Sequence, residues 1–257
     1  MRYNLISKIA NEVIDLVYPP GLYCNCCGKI TDKSRTYELC NDCIGDIKWI
    51  TGRACEKCGK ALGESDPGAI CHYCKTHEHV FDKGYACCEY GMHEKTLLYE
   101  MKYASRGDIA KILGEVIYDR MLAELGADGL RGAYDLVLPI PLYKERKLKR
   151  GFNQAELMAR EFSKKSDIAF DNEILFRTRP TDAMKGLGPS ERKANIQGAF
   201  SINEEKSEVL SDARIIVVDD IFTTGATLDE AAGILKDAGA ARVDMLVFAA
   251  GADYLIV

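Results

Sequence analysis

The sequence lacks any apolar run near the ~20 residues that a membrane-spanning helix requires, because charged residues interrupt every candidate. A secretory leader is not evident either. Met1–Val17 carries Arg2, Lys8, Glu12 and Asp15 among its apolar residues, which suits a short amphipathic helix. A cytoplasmic protein with no membrane span is therefore expected. An excess of positive charge is also missing: 34 Lys plus Arg against 39 Asp plus Glu leave a formal net charge of -5. The field of the whole molecule repels a polyanion, so nucleic-acid binding would have to rest on a local basic patch. No G-x-x-x-x-G-K-[ST] loop is present, and no Ser/His/Asp or Cys/His set suggests covalent catalysis. Cysteine is absent from everything after Cys88. What is there, 257 residues with 47% hydrophobic content, fills one large globular domain or two smaller ones.

The eleven cysteines all lie between Cys24 and Cys88. A disulfide framework would more often be spread over the fold it staples, so metal ligation in a reducing compartment is the better reading. Eight of them form four C-x-x-C pairs: Cys24/Cys27, Cys40/Cys43, Cys55/Cys58 and Cys71/Cys74. The second set repeats the first 31 positions later with every spacing kept, and Cys27-Gly28-Lys29 recurs as Cys58-Gly59-Lys60. Two copies of one small unit are implied. Two residues between thiolates let both sulfurs of a knuckle reach one tetrahedral Zn²⁺ at about 2.3 Å, with glycine relieving the turn. The expected ligand sets are Cys24, Cys27, Cys40 and Cys43 for one ion and Cys55, Cys58, Cys71 and Cys74 for the other. Interleaved ligation, with the first and third pairs sharing an ion, stays open. Cys26 competes for the first knuckle. His72, His77 and His79 are candidate substitutes in the second, with ordinary surface histidines as the plainer reading. A closed four-thiolate site leaves no open position for substrate, so the zinc is expected to be structural, holding a segment too small to bury its own core. Free buried thiols or disulfides are the competing reading of the pairs, and the repeated spacing outweighs them. Cys87 and Cys88 fall in a strand-like stretch, Tyr85–Tyr90, and read as core or strand-edge residues. Residues 1–83 hold 11 Lys plus Arg and 11 Asp plus Glu, so eight thiolates around two Zn²⁺ would leave this part acidic. A nucleic-acid role for the cysteine module loses weight on that ground.

From about Gly84 onward helical and strand-like segments alternate, as in a parallel α/β sheet flanked by helices. Two domains are expected, 1–83 and 84–257. Helices are predicted over Glu94–Tyr103, Ile109–Leu125, Asn153–Lys165 and Leu228–Ala238, and strands over Leu136–Ile140, Arg214–Val218 and Val243–Ala249. Gly186–Pro189 reads as a loop. The sharpest motif runs from Ile215 to Thr227: four β-branched residues of a buried strand, then Asp219 and Asp220, then Thr223-Thr224-Gly225-Ala226-Thr227 where a helix begins. Open α/β sheets bind ligands at the carboxyl ends of such strands. Carboxylates accept hydrogen bonds from the 2′ and 3′ hydroxyls of a ribose, and amides at a helix N-terminus suit a 5′-phosphate. A receiver-type acid pair lies early in its domain, whereas only 37 residues follow Asp220 here. A mere turn with Thr227 as helix cap needs neither two acids nor three threonines around a glycine. Lys144, Arg146, Lys147, Lys149 and Arg150 form a basic cluster, read as an anion site beside the phosphate rather than as a solvated surface run.

In these motifs the chain resembles the type I phosphoribosyltransferases and, more closely, the ComF family, which joins a cysteine-rich zinc segment to such a domain. The resemblance spans nearly the whole chain. It rests on the C-x-x-C pairs, Lys102-Tyr103 before Gly107-Asp108, Pro139-Ile140-Pro141, Arg150-Gly151-Phe152-Asn153-Gln154, Arg177 to Thr181, Glu191 to Asn195 with Gly198-Ala199-Phe200, and the acid-pair motif. It implies a domain that binds phosphoribosyl pyrophosphate with Mg²⁺. The segment Pro141–Arg146, with Lys144 and Arg146, would meet the pyrophosphate, and Thr178–Asn195 would be a mobile loop closing over it. Met184 stands where the family commonly has Gln. Two functions are expected from this. One is transfer of the phosphoribosyl group to an unidentified acceptor. The other is a non-enzymatic role in DNA uptake during competence, in which the chain binds single-stranded DNA or competence proteins and senses phosphoribosyl pyrophosphate.

Overall fold

The computed structural model describes residues 22–31, 35–63, 68–103, 106–182 and 186–251, so the helix expected over Met1–Val17 and the position of Met184 lie outside the described residues. The chain divides into two compact units, Met1–Ile47 and Lys48–Val257. In the smaller one, a knuckle closed by the bridge Tyr23↔Ile30 precedes helix α1 (Asn41–Asp46). The larger one opens with the matching knuckle, bridged Ala54↔Ala61, and helix α2 (His72–Thr76). The second cysteine set therefore folds with the α/β body. Cys55, Cys58 and Phe81 lie in the same buried cluster as Val217, Met245 and Val247 of the sheet.

The α/β body continues with β1 (Gly84–Glu89), α3 (Met92–Tyr103), α4 (Gly107–Ala133) and β2 (Leu136–Pro139). Next come α5 (Lys144–Arg150), α6 (Gln154–Ser166), β3 (Ala169–Phe170), β4 (Leu175–Arg177), α7 (Pro189–Ile196) and β5 (Phe200–Ile202). The last elements are β6 (Arg214–Phe222), α8 (Ala226–Asp237) and β7 (Arg242–Ala250). Five strands form one sheet in the order β1-β7-β6-β2-β3, every neighbouring pair parallel. Such a sheet is covered on both faces, which is why Ile215–Val218 and Met245–Ala250 read as continuous apolar runs and are buried throughout. A two-stranded antiparallel ribbon, β4 with β5, stands apart from it. Among the described residues no helix is long and apolar enough to cross a membrane.

Four differences from the expected elements stand out, the first three of them at the site. Strand β6 runs on past Val218 to Phe222, because its pairing with β7 continues through Asp219↔Val247 and Ile221↔Ala249, while pairing with β2 stops at Val218. Beyond the Ile140 N–H bond to the Val218 carbonyl at 2.9 Å, the chain leaves the sheet at Pro141 and exposes that flank of β6. The segment expected as a loop, Pro141–Arg146, becomes helical at Lys144. Lys-Glu-Arg-Lys-Leu-Lys-Arg is a run of helix formers closed by left-handed Gly151, whose N–H donates to Lys147 O. Pro189 opens α7, with Glu191 accepting the Gly188 N–H at 2.7 Å. The helix expected to end at Leu125 breaks at Gly126 (φ 69) and then resumes to Ala133.

Candidate functional site

Cys24, Cys27, Cys40 and Cys43 bring their sulfurs within 4.8 Å of one another, and so do Cys55, Cys58, Cys71 and Cys74. The Sγ atoms of Cys27 and Cys40 lie 3.6 Å apart, and those of Cys58 and Cys71 3.7 Å. A tetrahedron with bonds of about 2.3 Å places its corners ~3.8 Å apart, whereas a disulfide needs about 2.05 Å, so the sulfurs fit a four-thiolate metal site. The pairing is the one expected, not the interleaved alternative. His72, His77 and His79 stay outside both tetrads. His77 bonds Thr76, and His79 bonds Asp229.

The repeat extends to the backbone at the same offset. Cys24 N–H donates to Lys29 O (2.8 Å) and Cys55 N–H to Lys60 O (2.7 Å); Cys40 N–H donates to Cys24 Sγ and Cys71 N–H to Cys55 Sγ, both at 3.3 Å. Gly28 (φ 72) and Gly59 (φ 74) take the same left-handed turn. These N–H···S contacts stabilise thiolate. Burial alone would raise the Cys24 thiol, yet backbone donors bring it down to about 6, and neighbouring thiols lower Cys55 well below its usual range. Burial pushes the competing Cys26 up to about 11.

The second site lies at the carboxyl ends of β2 and β6. Strand β2 feeds α5, α6 and then β3 on one side of the sheet order, while β6 feeds α8 and then β7 on the other. Their shared border is the point where an open sheet leaves a crevice for ligand. A depression there is lined by Asp219, Thr223, Thr224, Gly225, Ala226, Thr227 and, from α7, Arg192. Gly225 (φ 84) ends the loop and caps α8, so the first amides of that helix face outward without intrahelical partners.

The two acids behave differently. Asp219 lines the depression and accepts the Asp220 N–H at 2.8 Å, whereas Asp220 is 8% exposed and pairs with Lys102 Nζ at 2.5 Å. Burial and the adjacent Asp220 carboxylate push Asp219 up to about 7. Burial would lower Lys102, but the Asp220 carboxylate outweighs it and raises the ammonium above its ordinary value. In the sequence Lys102 is legible only as part of the Lys102-Tyr103 motif. Its role as the partner of Asp220 had no local signal, because the two residues meet across α3 and β6.

Of the basic cluster, Arg146 turns toward the segment after β4 and donates to Thr181 O at 2.6 Å. The Arg177 guanidinium donates to the hydroxyl of the same Thr181, and its buried Nε has no hydrogen-bond partner. Burial, followed by repulsion from Arg146, lowers Arg177 to about 10. Lys144 is exposed at the start of α5, Lys147 pairs with Glu156 at 3.0 Å, and Arg150 lies over the Tyr103 ring at 5.7 Å. The structure thus brings Asp219 together with the Thr223–Thr227 loop, and Arg146 together with Arg177.

Comparison with known proteins distinguishes a cysteine-rich part from an α/β part. Residues 13–76 match the family model of the double zinc ribbon domain and residues 147–256 that of the phosphoribosyl transferase domain. The chain is 29% identical to Competence protein F of Haemophilus influenzae over 80% of its own length and 88% of that protein. It is 28% identical to DNA utilization protein YhgH of Escherichia coli K12 over 74% and 81%, and 29% identical to Competence protein ComFC of Bacillus subtilis over 79% and 80%. The resemblance to the ComF family read from the motifs is borne out. The chain couples a double zinc ribbon to a phosphoribosyl transferase domain of α/β fold.

Proposed function

We propose that the protein binds phosphoribosyl pyrophosphate together with Mg²⁺ in the depression at the end of β6 and transfers the phosphoribosyl group to a nucleophilic acceptor. One observation carries the reading: Asp219 and the whole Thr223–Thr227 loop line the same cavity. The amides and hydroxyls of that loop would hold the 5′-phosphate, and the Asp219 carboxylate would accept from the ribose hydroxyls. Asp220, held by Lys102 at 2.5 Å, fixes the strand end and completes the acid pair. The carboxylate oxygens of Asp219 suit a hard cation, and Mg²⁺ bound with the ligand would supply charge neutralisation at the pyrophosphate. Arg146 and Arg177, two guanidiniums drawn together on Thr181, repel one another until an anion lies between them. In this reading they would steady the leaving pyrophosphate as positive charge develops on the ribose. Incubating the full chain with phosphoribosyl pyrophosphate, Mg²⁺ and a panel of bases and amines should release pyrophosphate with one acceptor class. No ligand binding at all would defeat the proposal.

A second reading has its own support. Tyr99 and Tyr103 of α3 are 57% and 65% exposed, their rings are 4.8 Å apart, and Arg150 caps Tyr103 from the basic helix α5. Exposed aromatics beside a row of cations are a stacking platform for single strands. The relatives' names, competence and DNA utilization, point the same way, so a role in DNA uptake with phosphoribosyl pyrophosphate as a sensed ligand is the alternative. Single-stranded DNA binding that falls steeply with salt and is lost in Tyr99→Ala/Tyr103→Ala would favour it over an enzyme.

A further inference from the structure

A residue just after the second zinc ribbon reaches beneath the phosphate loop. His79 follows the last ligand of the second tetrad, Cys74, by five positions, and its side chain is 1% exposed. The ring lies behind Gly225: a Cβ on that glycine would stand 2.7 Å from His79 Cε1 and 2.9 Å from His79 Nδ1. Phe81 stacks on the imidazole with centroids 4.6 Å apart, and Phe222 meets it edge-on at 5.7 Å. His79 Nδ1 is 2.8 Å from Asp229 Oδ2, and the Val80 N–H donates to the other carboxylate oxygen, Asp229 Oδ1, at 2.8 Å. Asp229 belongs to the first turn of α8, where its own N–H donates to the Gly225 carbonyl at 2.8 Å.

We propose that His79 is a positioning residue for the phosphate cradle. With Val80 it clamps the first turn of α8 through Asp229, and its ring fills the space that keeps Gly225 and the neighbouring amides in place. The proposal deepens the phosphoribosyl reading given above and rests on it for the identity of the ligand. An ionised carboxylate only accepts, so Nδ1 carries the proton toward Asp229. His79 Nε2 is then left buried without a partner. An apolar ring would fill the same space without that orphan, which argues that the residue is kept for its bond to α8 rather than for bulk. The ribbon connects to the cradle a second way. Tyr73, between ligands Cys71 and Cys74, lies 5.8 Å from His79, and the Lys60 ammonium stands over both Tyr73 (5.4 Å) and Phe222 (5.3 Å).

The test uses the zinc-loaded full chain, ribose 5-phosphate as the probe, and amide hydrogen exchange of residues 223–228 measured without ligand. His79→Ala should weaken ribose 5-phosphate binding about tenfold to a hundredfold, the scale of a lost hydrogen bond to a charged group. It should also speed exchange of the 223–228 amides, with zinc content unchanged. Asp229→Asn, which retains an acceptor for Val80 N–H, should fall between His79→Ala and the unaltered chain and guards against misfolding of the alanine variant. Unaltered affinity and unaltered exchange in both variants would overturn the proposal. If the unaltered chain does not bind ribose 5-phosphate, the phosphoribosyl reading fails by itself, and the exchange rates still decide whether the clamp exists.

Discussion

At the level of single residues, Asp219 sits between two demands. Its carboxylate faces the cradle, yet burial and Asp220 hold it protonated up to about pH 7. The ordinary carboxyl value is 3.8, so the folded chain takes up more protons here than the unfolded one between about pH 4 and 7. The stability contributed by this group is complete below pH 4 and is lost as pH rises through about 7. Asp219→Asn should therefore unfold at higher denaturant than the unaltered chain at pH 8, by about 1 kcal/mol, and show little gain at pH 4. Equal shifts at both pH values would mean that the carboxyl is not strained. Arg177 offers a second test at this scale. Its Nε is buried without a partner beside Arg146. Arg177→Gln should weaken binding of inorganic pyrophosphate about tenfold or more and leave ribose 5-phosphate binding within about twofold.

At the level of elements, the two ribbons share one geometry but differ in exposure. Cys27 is exposed and Cys40 partly so, whereas Cys55, Cys58 and Cys71 are only 2%, 0% and 1% exposed. Metal analysis should find two zinc per chain, and a chelator should strip the Cys24/Cys27/Cys40/Cys43 site well before the other. Simultaneous loss would contradict that difference. This scale also shows what the sequence makes legible. Four C-x-x-C pairs at a fixed offset mark the eight ligands, because the two-residue spacing brings each pair of sulfurs together, whereas which pairs meet is set by the fold. The β-branched run Ile215–Val218 marks the central strand: its burial on both faces leaves no polar alternation. The continuation of β6 to Phe222 was not legible, since it depends on β7 pairing across the sheet. The resemblance implies loops over Pro141–Arg146 and Thr178–Asn195, whereas helices α5 and α7 begin within them. Their own capping residues, Gly151, Pro189 and Glu191, carried the signal. Lys102 and His79 escaped because each finds its partner far along the chain, at Asp220 and Asp229.

At the level of the whole molecule, the larger folded unit begins at Lys48, so the second ribbon shares a core with the phosphoribosyl transferase domain. A chain starting at Lys48 should fold cooperatively and keep its ligand. One starting at Gly84 removes Phe81 and the His79 clamp from that body and should lose both thermal cooperativity and binding. The formal charge of -5 argues against general affinity for polyanions, so any DNA binding should map to α5 and the α3 tyrosines and vanish at high salt. The central claim, that Asp219 and the Thr223–Thr227 loop form one site for a sugar phosphate, is tested most directly by calorimetric titration with phosphoribosyl pyrophosphate and Mg²⁺. The account predicts saturable one-to-one binding at pH 8, where Asp219 is ionised, that Asp219→Asn weakens about tenfold or more, the scale of lost hydrogen bonds to a charged group. Unchanged affinity in that variant, or no heat with the unaltered chain, would contradict it.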